Sequence, residues 1–255
     1  IAHVGAIAVL LSFGILQANT GDYTFANMRL QQISPFWASV AFLLAVFGFG
    51  AKAGILPLHV WLPEAHPAAP SPVSALMSGV MIKMAIYGLL RVSFDLLHIQ
   101  IWWWGVLLLA LGLATALFGV IFATVQTDMK RLLAYSSIEN VGLLFAAMGL
   151  GLLFRSYGMN ELAALALTAC LYHVGAHAFF KSLLFLTTGS VLHATGERNL
   201  GKLGGLIRFM PWVAWLALIG VLASSGLPPF SGFVSEWLLL QSFLFTPGLP
   251  QSFLN

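Results

Sequence analysis

The chain has 255 residues, of which 11 are Lys or Arg and 8 are Asp or Glu. Charged residues make up 7% of the chain, against about a quarter in soluble domains, and apolar residues make up 60%. This excludes an ordinary soluble domain, and the formal net charge of +3 is too small to indicate nucleic-acid binding. The composition predicts an all-α, polytopic transmembrane helix bundle, a single domain over residues 1–255 in the lipid bilayer.

The apolar residues are concentrated in segments separated by loops that carry most of the charge. The segments cover approximately residues 2–17, 36–62, 72–95, 102–124, 131–153, 161–193 and 211–246. A span needs about 20 residues, so the second and the seventh are longer than a straight helix requires. The second contains Gly54 and Pro57 and the seventh contains Pro228 and Pro229, which predicts two helices broken within the membrane. Two such breaks are typical of transporter folds whose site lies at the breaks.

Both ends of the sequence favour an internal fragment of a longer chain. Ile1 is not a methionine, and the chain enters an apolar segment without the basic region of a signal peptide. At the other end, Asn255 closes a short polar stretch. We therefore expect further segments on both sides of this sequence.

The basic loop residues divide unequally between the two predicted sides of the bundle. One side has Lys130, Arg131, Arg198, Lys202 and Arg208, and the other has Arg29, Arg91 and Arg155. The positive-inside rule predicts that the richer side is cytoplasmic. Lys130 and Lys202 are interpreted as topology signals.

Four charged residues fall inside the apolar segments. Lys83 lies eleven residues after Pro72, which places it about 16 Å into the membrane. Lys52 lies beside the first break, Glu236 just after the second, and Glu139 about two turns into the fifth segment. Each charge costs roughly 3 kcal/mol to insert. This cost favours a functional role over a structural one.

The sixth segment carries His173, His177 and Lys181 at positions i, i+4 and i+8. This spacing places the three side chains on one face of a helix, about one turn apart. Groups that can each hold or release a proton, spaced so that water could bridge them, are what a proton relay needs. The acidic residue that completes the usual zinc motif with two such histidines is absent, so the pattern does not require a metal.

Other interpretations of the polar residues remain open. Glu139 could form an ion pair with Lys130 or Arg131 one or two turns earlier. His59 could serve as an interfacial hydrogen-bonding group, or ligate a b-type haem together with His173. The proline-rich stretch of residues 63–72, which includes Glu64 and His66, is interpreted as a structural loop.

Four runs of residues resemble one known family. FGFGAKAGILPLHVWLPEAHPAAPSPVSALMSGVMIKMAIYGLLR (47–91), TDMKRLLAYSSIENVG (127–142), HVGAHAFFKSLLFLTTGSV (173–191) and GLPPFSGFVSEWLLL (226–240) occur in order and cover most of the chain. They resemble the antiporter-like membrane subunits of respiratory complex I, Mrp-type antiporters and energy-converting hydrogenases. SSIEN and HATGER (193–198) look most like the large membrane subunit of formate hydrogenlyase and hydrogenase-4 complexes.

The resemblance implies an antiporter-like inverted-repeat fold with proton half-channels. The matching ionisable positions are Lys52 on the first broken helix, Lys83 on the next helix, His173, His177 and Lys181 as the central relay, and Glu236 as the terminal site. Some relatives carry lysine where Glu236 stands. The glutamate that pairs with the first lysine in this family would fall before Ile1.

The resemblance also implies a multi-pass subunit of a redox-driven complex in the prokaryotic inner membrane, conducting H⁺. Its partners would be other membrane and peripheral subunits. The lone cysteine, Cys170, could form neither a disulfide nor a CxxC cluster. Iron–sulfur and nickel–iron centres are therefore expected in the partners and no cofactor in this chain. Alternatives are a subunit of an Mrp-type Na⁺/H⁺ antiporter or of complex I, or an inert anchor for soluble hydrogenase subunits.

Overall fold

The computed structural model describes residues 1–18 and 21–244, and the regular structure in these ranges is helical. The α-helices are α1 (Ala2–Gln17), α2 (Phe25–Met28), α3 (Pro35–Ala53), α4 (Trp61–Ala68), α5 (Ser71–Leu76), α6 (Ile82–Leu90), α7 (Trp102–Thr124), α8 (Met129–Ser156), α9 (Asn160–Thr195), α10 (Pro211–Ser224) and α11 (Ser231–Leu244). The predicted all-α fold is confirmed.

Five helical stretches of the described chain are long and apolar enough to cross a membrane. They are Pro35–Ala68, Ser71–Leu96, Trp102–Thr124, Met129–Ser156 and Asn160–Thr195. The apolar helices α1 and α10 are shorter. These stretches coincide with the predicted apolar segments, and α8 lies at the centre, because most of its side chains are buried.

The first break follows α3, which ends where Gly54 adopts a left-handed φ of 84°. A short 3₁₀ turn then leads into α4. The interpretation of residues 63–72 as a loop was wrong for most of this stretch, because α4 runs from Trp61 to Ala68. Pro63 lies in the first turn of α4, where a backbone N–H would have no helical partner anyway. His66 is consequently held inside a helix.

The second break separates α10 from α11, as predicted. Gly226 in the connection has a φ of 61° and lies against Glu236, so that a Cβ at this glycine would collide with the Glu236 carboxylate. A Cβ at Gly232 would collide with the carbonyl of Ala223. The chain is thus packed tightly at this break, and the carboxylate of Glu236 is placed at it.

The helix that carries Lys83 is not regular along its length. Between α5 and α6, residues Met77–Met81 form a π-helical turn, and a second one, Arg91–Leu96, follows α6. A π-turn inserts an extra residue and rotates the side chains that follow it. This irregularity lies directly before Lys83.

Helices α7 and α8 approach each other through small residues. Gly105, Gly112 and Gly119 recur every seventh residue along α7. A Cβ at any of the three would come within 3.0 Å of backbone atoms of α8. Such small-residue contacts allow helices to pack closely in lipid, and here they fix the position of α8.

The loop charges lie in two groups at opposite ends of α8, in line with the predicted division. At one end, Arg29 and Arg91 each contact Asp95 at 2.7 Å. At the other, Arg131 contacts Glu64 at 2.7 Å and Arg198 contacts Asp128 at 3.4 Å. The pairing of Glu139 with Lys130 or Arg131, considered from the sequence, is not formed: Arg131 binds Glu64, and Lys130 Nζ donates to the Ala69 carbonyl at 2.7 Å.

Candidate functional site

A cluster of polar side chains lies buried between α6, α8, α9 and α11. Its centre is the stripe predicted on α9: His173 is 4% exposed, and His177 and Lys181 are fully buried. The i, i+4 spacing turns all three toward the neighbouring helices rather than toward lipid. Each meets a polar group from another helix.

Lys83 and His177 are in direct contact across the α6–α9 interface. Lys83 Nζ lies against His177 Nδ1 and against the carbonyl oxygen of Ser78, within the π-helical turn. An ammonium group can only donate, so Nδ1 accepts, and the neutral His177 ring then carries its hydrogen on Nε2. That Nε2 is buried without a hydrogen-bond partner among the described residues. A proton can therefore pass between Lys83 and His177 without an intervening group.

Lys181 begins a second hydrogen-bonded line, which leads into α8. Its Nζ donates to Ser136 Oγ at 2.6 Å, and Ser136 Oγ donates to Glu139 Oε2 at 3.2 Å. The line runs from a cation through a hydroxyl to a carboxylate, so each group has the role that its chemistry allows. Lys181 also interacts electrostatically with Lys83. The two lysines thus influence each other's charge although they head separate lines.

His173 is held by hydrogen bonds at both ring nitrogens. Its Nε2 lies 3.0 Å from Asn140 Oδ1, and Asn140 Nδ2 donates to the Ser136 carbonyl at 2.7 Å. Because a carbonyl only accepts, the amide orientation of Asn140 is set, and His173 must carry a hydrogen on Nε2. An amide does not relay protons, so His173 exchanges its proton through Nδ1.

The Nδ1 atom of His173 faces the second broken helix. It lies 2.9 Å from Ser235 Oγ, which also lies 2.8 Å from the Gly232 carbonyl. When His173 is neutral, Ser235 donates to Nδ1; when His173 is protonated, Nδ1–H donates to Ser235, which then donates to Gly232. The charge of His173 therefore decides which bond Ser235 makes at the start of α11.

Glu236 lies one residue further along α11 and is partly buried. Its carboxylate packs against Gly226 at the second break and is near enough to Glu139 for their charges to interact. Glu139 thus stands between the line from Lys181 and the terminal carboxylate. The structure brings Glu139, named from the sequence only as a further candidate, into the middle of the site.

Two predicted residues lie outside this cluster. Lys52 is exposed at the end of α3, whereas its neighbours Ala51 and Ala53 are buried. His59 packs edge-on against Phe118, with ring centroids 4.6 Å apart. The helix period turns the face bearing Lys52 away from α9.

Several members of the cluster were not singled out in the sequence. They are Ser78, Ser136, Ser137, Asn140 and Ser235. Ser78 Oγ and Ser137 Oγ lie 2.8 Å apart and tie the π-helical turn to α8. A signal existed for two of them, because Ser136 and Asn140 have the i, i+4 spacing that puts them on the face of α8 toward α9.

The histidines do not fit the haem that the sequence left open. Both ring nitrogens of His173 bind protein atoms, and His59 packs on Phe118. A haem iron takes its axial bond from a ring nitrogen that no other group occupies. We therefore derive no step through a haem.

Known proteins share this fold and these motifs. Residues 1–246 match the family model described as NADH:quinone oxidoreductase/Mrp antiporter, TM. Hydrogenase-4 component B of Escherichia coli K12 is 47% identical over 245 residues, which are 95% of this chain and 36% of the relative. Formate hydrogenlyase subunit 3 of the same strain is 39% identical over 95% of this chain and 40% of the relative. The chain thus spans about two fifths or less of the length of these relatives.

A solved structure gives the same result for the fold. A chain in the structure of the Mrp complex from Dietzia sp. DQ12-45-1b superimposes with a TM-score of 0.82 at 33% identity, over 94% of this chain and 26% of that chain. The resemblance predicted from the four sequence runs, including the likeness to hydrogenase-4 and formate hydrogenlyase subunits, is confirmed. The chain belongs to the NADH:quinone oxidoreductase/Mrp antiporter transmembrane family.

Proposed function

We propose that this chain conducts protons within the membrane part of a redox-driven complex of the hydrogenase type. The observation that carries the proposal is the line of buried, hydrogen-bonded ionisable groups across four helices. Burying so many charged or titratable groups without a function would be costly. The names of the relatives support the type of complex, because they are a hydrogenase-4 component and a formate hydrogenlyase subunit.

The proposed path uses the contacts in a fixed order. Protons move between Lys83 and His177, reach Lys181 one helical turn away, and then pass through Ser136 to Glu139 and Glu236. Water would bridge the turn between His177 and Lys181, where the buried Nε2 has no partner among the described residues. Lys52 would join the path only through parts of the protein beyond the described cluster.

Electrostatic coupling would drive the transfer from one site to the next. At an effective dielectric constant near 20, a charge about 7 Å away changes the energy of a second charge by roughly 2.4 kcal/mol. Protonation of Lys83 would thus favour release from Lys181, and an ionised Glu139 would draw the proton onward. His173 does not pass protons to Asn140, and we assign it a switching role through Ser235.

This order predicts different effects for two isosteric substitutions. We expect Glu139→Gln to stop proton movement, because the amide cannot take the proton from Ser136. In contrast, His173→Gln should slow it only in part, because the line from Lys181 to Glu236 remains. The measurement is the decay of a pH gradient across vesicles that contain the full-length protein in its complex.

The Asp variant at position 139 serves as the control, since it keeps the carboxylate and should retain part of the rate. Equal rates in Glu139→Gln and the wild-type protein would contradict the order. So would complete loss in His173→Gln with normal rates in Glu139→Gln, because the path would then run through the imidazole.

We propose that partner subunits hold the iron–sulfur and nickel–iron centres that supply the energy, and that this chain performs no redox chemistry itself. The likeness to the Mrp complex favours a second candidate, exchange of Na⁺ for H⁺. The two differ in a simple assay. A Na⁺ gradient imposed on vesicles without a reductant would generate a pH gradient only if the chain is part of an antiporter.

A further inference from the structure

His66 is a buried histidine that the relay described above does not use. The residue is fully buried on α4, and neither ring nitrogen has a hydrogen-bond partner among the described residues. A neutral imidazole presents one donor and one acceptor, and leaving both unsatisfied in the interior is unfavourable. Buried polar atoms of this kind are most often satisfied by ordered water.

The position of His66 continues the stripe of α9. Its ring stacks on Phe185, with centroids 4.6 Å apart and an interplanar angle of 16°. Phe185 lies four residues after Lys181, so it occupies the next place in the series His173, His177, Lys181. The apolar ring interrupts the series on α9, and α4 supplies a titratable group at that level instead.

The charged groups around His66 come from two other helices. Lys181 of α9 and Lys130 of α8 both interact with it electrostatically. Lys130 Nζ is held by the Ala69 carbonyl at 2.7 Å, whereas Lys181 is the group at which the path to Glu139 begins. Of the two lysines, Lys181 therefore has the role of exchanging a proton with His66.

A polar cavity of about 600 Å³ opens at the same end of the bundle. We call it the vestibule; its lining includes Glu64 and Pro67 of α4, Asp128, Arg131 and Arg198. The charges are paired across it, Arg131 with Glu64 and Arg198 with Asp128. Since α4 has Glu64 at the vestibule and His66 in the interior, one turn of helix connects the water-facing side to the level of Lys181.

We propose that His66 is the station through which protons pass between the vestibule and Lys181, with water molecules bound at its two ring nitrogens. A proton released by the Lys181 ammonium reaches one nitrogen through water, and the hydrogen on the other nitrogen leaves toward the vestibule. The imidazole is neutral before and after the transfer. This inference rests on the proposed function, since it supplies the access route to the same relay.

The test uses the full-length protein in its complex, reconstituted in vesicles. His66→Gln and His66→Ala should each lose most of the pH-gradient signal while the complex assembles. Added imidazole should restore His66→Ala, whereas pyrazole, which has the same shape but is a much weaker base, should not. The matched control is His193→Gln, because His193 is an exposed histidine in the last turn of α9 and should leave the rate unchanged.

The outcomes separate the two proposals. Normal rates in His66→Gln together with an inactive Lys181→Met overturn the role of His66 and leave the proposed function in place. Normal rates in Lys181→Met contradict the proposed function itself. Restoration of His66→Ala by pyrazole and imidazole alike would mean that His66 only fills space.

A second measurement needs no variant. In the wild-type complex, hydrogen–deuterium exchange at the ring carbon between the nitrogens, followed by mass spectrometry of the peptides, reports access of water to each histidine. We expect His66 to exchange faster than His173, whose nitrogens both bind protein atoms. Exchange at His66 as slow as at His173 would overturn the water-bound station.

Discussion

Replacement of Lys181 by methionine should abolish coupled proton movement while leaving assembly of the complex intact. Lys181 is fully buried and is the donor that joins α9 to the Ser136–Glu139 line at 2.6 Å. Methionine has a similar length and no proton to give. Because the lysine forms no direct ion pair among the described residues, its removal takes a charge out of the interior without stranding a partner.

The measurement is pH-gradient formation by the reconstituted full-length complex, with subunit stoichiometry as the check on assembly. Lys202→Met is the matched control, since Lys202 lies in a loop, is exposed, and contacts Glu197 at 3.4 Å. It should change neither readout. A pH gradient of normal size in Lys181→Met would refute the relay.

The features that periodicity controls were predictable from the sequence. The stripe His173, His177, Lys181 follows from the helix period alone, and the breaks follow from glycine and proline at known positions. The cost of a charge in lipid pointed to Lys83 and Glu236 without any structure. These predictions use local physics, in which a residue's neighbours along the chain decide its place.

The partners of these residues depend on contacts between helices, and the sequence did not contain them in readable form. Glu139 was expected to pair with Lys130 or Arg131 on its own helix, but α4 brings Glu64 to Arg131 and leaves Glu139 to Ser136. The π-helical turn before Lys83 rotates its side chain by an amount that no regular period predicts. Which groups meet was therefore set by packing.

His66 shows the same limit from the opposite direction. Prolines at 63 and 67 suggested a loop, and in a loop His66 would have been exposed. The helix α4 forms because its first turn tolerates proline, and it carries His66 under Phe185 on α9. A residue dismissed as structural thus became the nearest titratable neighbour in line with the stripe.

Replacement of Gly119 by alanine should damage both the fold and proton movement, because Gly119 packs directly on Glu139. A Cβ at Gly119 would come within 3.0 Å of the backbone N, the Cα and the Cβ of Glu139. Neither helix backbone can yield locally, so α7 and α8 must separate. We expect the free energy of unfolding to fall by about 3 kcal/mol, the upper end of the range for overpacked interiors.

The separation also reaches the relay, which makes this substitution more informative than a general loss of stability. Any shift of α8 moves Ser136 and Glu139 relative to α9 and lengthens the 2.6 Å bond from Lys181. Thermal unfolding in detergent measures the first effect and vesicle pH gradients the second. Gly14→Ala is the control, because a Cβ at Gly14 has no atom within 4 Å, and alanine is the better helix former. Gly119→Ala as stable as Gly14→Ala would show that α7 and α8 are not held at the distance on which the Lys181–Ser136–Glu139 line depends.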